Sequence, residues 1–299
     1  MQYKSAIKWL VPIIISLTFA AALAGVWPSE GEPYTITNFR GEEVSINNRG
    51  LYTWDTVSSA AQMQANDLVM LVLGLPLLGV SFWLSLRGSL RGRLLMTGTL
   101  GFILYTYITM CFGAAYNSFF LIYVALFSTS LFAFILSMMS FDLLELPKHF
   151  SNKIPHKAIA GLLFFTATFL TLAWLGRIAP TLFGDQTPAL ENTTSMFIQA
   201  MDLGIIVPFS VLAGSLLLRR TAWGYLLASI ALMKFLTMGA AVSLMGLNMA
   251  RVGAPVSIIE LVVFPGIALI NLVMVFFLLR GVKDKPNDLK EGEKYYHQL

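Results

Sequence analysis

The sequence predicts an all-α, polytopic transmembrane helical bundle of about eight spans, and three observations carry that prediction. Only 12% of the 299 residues are charged and 57% are hydrophobic, where a soluble domain carries about a quarter charged. Eight apolar runs approach or exceed the roughly 18–20 residues that cross a ~30 Å hydrocarbon layer. The basic residues between these runs separate by side. With a mean hydropathy of +0.72, a soluble globular enzyme is excluded and the lipid bilayer is the chain's principal partner.

Residues 6–26, 66–86, 94–114, 118–139, 158–177, 197–218, 222–246 and 256–279 are expected to span. Fifteen of the twenty Lys and Arg fall on the side of the two termini, in clusters such as Arg87, Arg91 and Arg93 or Arg219 and Arg220, and four fall opposite. The positive-inside rule then places both termini in the cytoplasm of a multi-pass protein of the cell membrane. The net charge of +4 is a topology signal and implies no nucleic-acid partner.

Taken in order, the first span follows Lys4 and Lys8 and ends in Ala22-Leu23-Ala24, which looks like a signal-peptidase site; cleavage would leave seven spans. The length of 7–26 and the early Pro12 favour retention. In the outer loop 27–65, Tyr34–Thr37 and Val44–Ile46 flank a turn at Gly41 and predict a β-hairpin. Asp55 is placed to cap a short helix from Thr56 to Ala65. This loop reads as a lid over the bundle or as a gating or partner-binding segment.

Spans two and six both open with Asp-Leu (Asp67-Leu68, Asp202-Leu203), carry an interior proline (Pro76, Pro208) and end in arginine. Gly92-Arg93-Leu94-Leu95 and Gly224-Tyr225-Leu226-Leu227 open the spans that follow. These rhymes suggest a four-plus-four repeat over 1–140 and 158–282, with a site at the repeat interface; convergence of ordinary membrane-helix composition is the other reading. Pro265 adds a third interior proline in span eight. The tail 283–299 mixes charge with Pro286 and Gly292 and reads as a solvated, disordered cytoplasmic segment.

Lys234 is twelve positions into span seven, hence roughly 18 Å from the inner surface at 1.5 Å per residue. A lysine at that depth costs about 2.5–3.5 kcal/mol on an insertion scale, so it must face the bundle and be paired or hydrated. Its stem reaches toward Asp202 or Glu260 for a buried ion pair, with Asp67 the third outer-side acid. Tyr105 and Tyr107 in span three and Asn117 before span four are further candidates to line a polar cavity, or belong to an aromatic belt. Together these seven residues form the candidate ligand- or proton-binding set; pairing that only holds helices in register is the alternative.

No phosphate-binding loop, nucleophile elbow or zinc-protease helix occurs, and no catalytic residue is assigned. Cys111 is a single cysteine, and His149, His156 and His297 lie in polar segments without metal-site spacing. No cofactor or metal is expected, and the histidines are expected to be solvated.

The loop run Arg40-Gly41-Glu42-Glu43-Val44, Gly50-Leu51-Tyr52, Asp55-Thr56-Val57, Ala60-Ala61-Gln62 and Asp67-Leu68-Val69, with Arg87-Gly88-Ser89-Leu90-Arg91-Gly92, Tyr105 and Tyr107, resembles an uncharacterised family of prokaryotic multi-span membrane proteins. The resemblance implies an all-helical integral membrane protein and transfers no activity. Three functions are open: a small-molecule or ion permease with its polar site toward the outer face, a non-transporting sensor or assembly partner acting through loop 27–65, and a membrane-embedded lipid-modifying enzyme. The ligand would be a small polar molecule or an ion, and nothing fixes the oligomeric state.

Overall fold

Eight helices are long and apolar enough to cross a membrane: Ser5–Val26, Val57–Leu86, Leu90–Gly113, Phe120–Met139, His156–Leu182, Phe197–Leu218, Ala222–Arg251 and Leu261–Gly281, here spans one to eight. The computed structural model describes residues 4–184, 188 and 190–284, without the side chains of Ile259 and Glu260. The predicted tail falls outside the described residues beyond Asp284. Large apolar side chains cover the outer surface of the bundle, with Leu121 76%, Leu172 67% and Leu269 65% exposed. Such a surface is stable against lipid, whereas in water it would drive aggregation.

Spans one, two, three and four pack as a ring in that order, with span one also touching span four. Spans five, six, seven and eight pack in the same cyclic order, closed by a lighter contact of eight with five. Span seven joins the rings by lying against both two and three. The approach of three to seven is close because position 98 is glycine: a Cβ there would lie 2.2 Å from Met233 Cβ. Small residues at helix crossings permit such backbone proximity in membranes.

Three spans contain a single π-helical turn, at Met70–Gly74, Asp202–Ile206 and Ile259–Val263. In each, a proline, Pro76, Pro208 or Pro265, is the second residue after the turn. Proline lacks an N–H and its ring clashes with the carbonyl one turn earlier. The wider turn accommodates that carbonyl and keeps the backbone bonded, as where the Leu75 N–H donates to Met70 O and the Val207 N–H to Asp202 O.

At one end of the bundle lies the hairpin, β1 (Tyr34–Thr37) paired antiparallel with β2 (Glu43–Ile46), Tyr34 opposite Ile46 and Thr37 opposite Glu43. Asn38 makes the turn, its Oδ1 accepting from the backbone N–H of Arg40 and Glu42, and Gly41 takes φ +80°. The helix expected from Thr56 to Ala65, leading into span two, is continuous with that span, and its cap is not Asp55 but Thr56, whose hydroxyl accepts from the Ser59 N–H. Asp55 instead accepts from the Ala115 N–H at 2.8 Å, tying this loop to the loop before span four. Span two is continuous because no turn residue interrupts Ala65 to Leu68.

Most of the basic residues between spans, among them Arg87, Arg91, Arg219 and Arg220, occupy the other end. There the Ser151 N–H donates to Gly281 O and Asp284 accepts from the Leu90 N–H at the start of span three. The expectation of solvated histidines fails at this end: His156 is buried at 7% exposure, its Nε2 3.2 Å from the Tyr225 hydroxyl, and His149 Nδ1 is 2.7 Å from Lys283 O.

Candidate functional site

A cavity of about 270 Å³ lies where the two rings meet, lined from spans two, three, five, six, seven and eight. Its charged members are Asp202, carried at the start of the π-turn of span six, and Lys234 of span seven. Both are buried, at 8% and 7% exposure. Tyr105 of span three donates its hydroxyl to Asp202 Oδ1 at 2.7 Å, and Trp174 of span five donates Nε1–H to Oδ2 at 2.9 Å. Three spans, drawn from both rings, are thereby joined at one carboxyl group.

The direct ion pair expected for Lys234 is not formed: among the described residues no carboxylate is paired with it. Its ammonium lies 4.0 Å from the centre of the Tyr105 ring and 5.4 Å from that of Phe235. The reason is geometric. Tyr105 stands between the two charges, offering its hydroxyl to Asp202 and its electron-rich face to Lys234, and a cation over an aromatic face keeps about 0.5–2 kcal/mol of attraction.

The remaining walls differ in character. Span two presents Ser59, Gln62 and Asn66 at helical spacing, and span three adds Thr106 and Thr109. Elsewhere in the lining Phe169 of span five meets Phe264 of span eight edge to face, centroids 5.5 Å apart, and Met238 and Val242 of span seven add apolar surface. Asn271 of span eight, 1% exposed, donates Nδ2–H to Leu232 O while its Oδ1 has no partner among the described residues. The lining reaches from Lys234 and Asn271 to Met249 and Phe197, at the hairpin end of spans seven and six.

Asp67 and Tyr107 belong to a second polar cluster, inside the first ring. Asp67 is 2% exposed and accepts from the Tyr52 hydroxyl at 2.5 Å. Gly25 of span one presses on it, since a Cβ there would lie 1.8 Å from Asp67 Oδ2. Tyr107 packs on Tyr123 with ring centres 6.0 Å apart, and the hydroxyls of both, with that of Thr18, are buried without a hydrogen-bond partner among the described residues. Asn117 is in neither cluster; it shapes the entry to span four, its Oδ1 accepting from the Phe119 N–H. The side chain of Glu260 lies outside the described residues.

No family model matches the chain, and no curated protein or solved structure does either. The chemistry is accordingly argued from geometry alone. Trp174, Asn66 and Asn271 were not among the sequence candidates, although each carried a signal. A polar N–H or amide within an apolar run must find a partner or line a cavity, because lipid offers neither donor nor acceptor.

Outside the spans, Asp55 is strongly altered by its surroundings. Burial pushes its carboxyl up to about 7, and the Ala115 N–H opposes that rise only in part. Next to it, Glu191 from the loop before span six accepts from the Thr56 hydroxyl at 2.5 Å and from Ser58, at the N-terminus of span two. The Glu191 carbonyl also accepts from Asn38 and Arg40 of the hairpin.

Proposed function

We propose that this integral membrane protein is a small-molecule permease whose ligand occupies the cavity between the rings, with Lys234 and Asp202 as its charged centre and both termini in the cytoplasm. The observation that carries the reading is the buried Lys234, which lines the cavity and has no ion-pair partner among the described residues. A charge near the middle of a span costs several kcal/mol and is ordinarily retained for what it binds. The cavity's position between two similarly ordered rings supports alternating access, since carriers built from two bundles bind at the junction and rock about it. The π-turns in spans six and eight adjoin the cavity and give those spans places to bend.

The test is accessibility from both faces. In a Cys111→Ser background, a cysteine replacing Val242 is exposed to a membrane-impermeant maleimide from either side of oriented vesicles. A carrier that alternates is labelled from both faces, at rates that shift when the temperature changes the balance of states. Labelling from the hairpin face alone would reject transport and leave a receptor-like pocket.

A further inference from the structure

The cavity's unsatisfied groups narrow the class of its ligand, an inference that rests on the cavity being a ligand site as proposed above. Of the two opposite charges there, Asp202 is engaged, each oxygen already accepting from Tyr105 or Trp174. The Lys234 ammonium has three N–H donors and no hydrogen-bond or ion-pair acceptor among the described residues. The group left to recognise a ligand is therefore a cation. Asn66 lines the same cavity at 4% exposure, and its amide likewise makes no hydrogen bond among the described residues. A single free ammonium matches a single negative charge; a dianion would bring a second charge into an apolar cavity uncompensated.

The body of the ligand is set by the aromatic part of the lining. Phe169 and Phe264 meet edge to face beside the cavity, with Phe235 under the ammonium. Aromatic rings favour edge-to-face and offset contacts with another ring. A volume of about 270 Å³ lies just below the ~300–1,000 Å³ typical of ligand pockets, which favours a small ligand. We propose that the site takes a small aromatic monocarboxylate, its carboxylate on Lys234 and its ring against the Phe169 and Phe264 pair.

The experiment uses the full chain in phosphatidylcholine nanodiscs and three probes that share a ring and differ in head group: benzoate, benzyl alcohol and benzylamine. Thermal unfolding and calorimetric titration are followed with each at millimolar concentration. Benzoate is expected to raise the midpoint saturably by several degrees, with the other two giving a small fraction of that shift. Lys234→Met should weaken benzoate at least tenfold while Lys234→Arg keeps most of the affinity. If Lys234→Met does not fold, Asn66→Leu serves in its place and should weaken benzoate severalfold. Equal shifts from all three probes would overturn the head-group assignment while leaving a cavity that binds small apolar molecules. Preference for benzylamine would overturn it in favour of Asp202 as the recognising charge. No shift from any probe also overturns it, and the permease reading then stands or falls on the two-face labelling of position 242 alone.

Discussion

A lysine ammonium deep in a span lies here over the Tyr105 ring, with no ion pair to a carboxylate among the described residues. Lys234→Met should therefore leave the unfolding midpoint in nanodiscs unchanged or raised, as expected where a charge is kept for function at some expense of stability. Asp202→Asn should lower it, because an amide presents an N–H to one of two donors that both need an acceptor, at a cost of about 1–3 kcal/mol. Because the two side chains share Tyr105, the double variant should depart from the sum of the singles by about 0.5 kcal/mol or more; strict additivity would show that the ring does not couple them. Asp55 makes a different prediction. Its folded value near 7 exceeds its ordinary 3.8, so the neutral form is the one the fold favours. Its contribution to stability is full below the ordinary value and is lost as pH rises through about 7. Wild type should lose stability between pH 5 and pH 8, and Asp55→Asn should flatten that slope; an unchanged slope would assign it to another group.

At the level of the helix, the π-turns couple a proline to an acid. In span six the turn begins at Asp202 itself and Pro208 follows it. Replacing Pro208 with Ala removes the clash that the wide turn relieves. The segment can then tighten to a regular helix, which turns every residue before it by about 100° and moves Asp202 away from Tyr105 and Trp174. Hydrogen exchange at residues 202–207 should slow in Pro208→Ala; unaltered exchange would mean that the neighbouring spans impose the turn. The prolines were legible in the sequence and so was their company with acids, but the extra residue per turn was not. An apolar run reads the same whether its ladder closes every four residues or once every five. The hairpin was legible because alternation and a glycine turn are local signals. The unbroken merging of 57–65 into span two was less so, since Ser59, Gln62 and Asn66 are polar for a span until a cavity gives them something to face.

For the whole molecule, the number of spans and their order came directly from apolar length, because lipid enforces a helix on any run of that length. The grouping of polar residues did not. Asp67 and Tyr107 face the first ring while Asp202, Tyr105 and Lys234 face the junction, and Tyr105 and Tyr107, two residues apart on one helix, point to different neighbours. Depth along a span was readable; rotation about its axis depends on packing that no single run encodes. Span one is integral to this packing, with Ile7, Val11 and Ile14 fully buried and Gly25 against Asp67. Intact-mass measurement of the purified protein should therefore find residues 1–24 present, and a mass shortened by that segment would refute it.

The contact of Gly98 with Met233 also sets a mechanical ratio. Gly98 is eight residues from Leu90 and fifteen from Gly113 along span three, giving lever arms of about 12 Å and about 22 Å on either side of this close crossing between the rings. A rocking motion about that pivot would be amplified toward the hairpin end, nearly twofold over the basic end. The Asn38, Arg40 and Glu191 tie bridges the two rings at the long arm, where a given pull exerts the most torque.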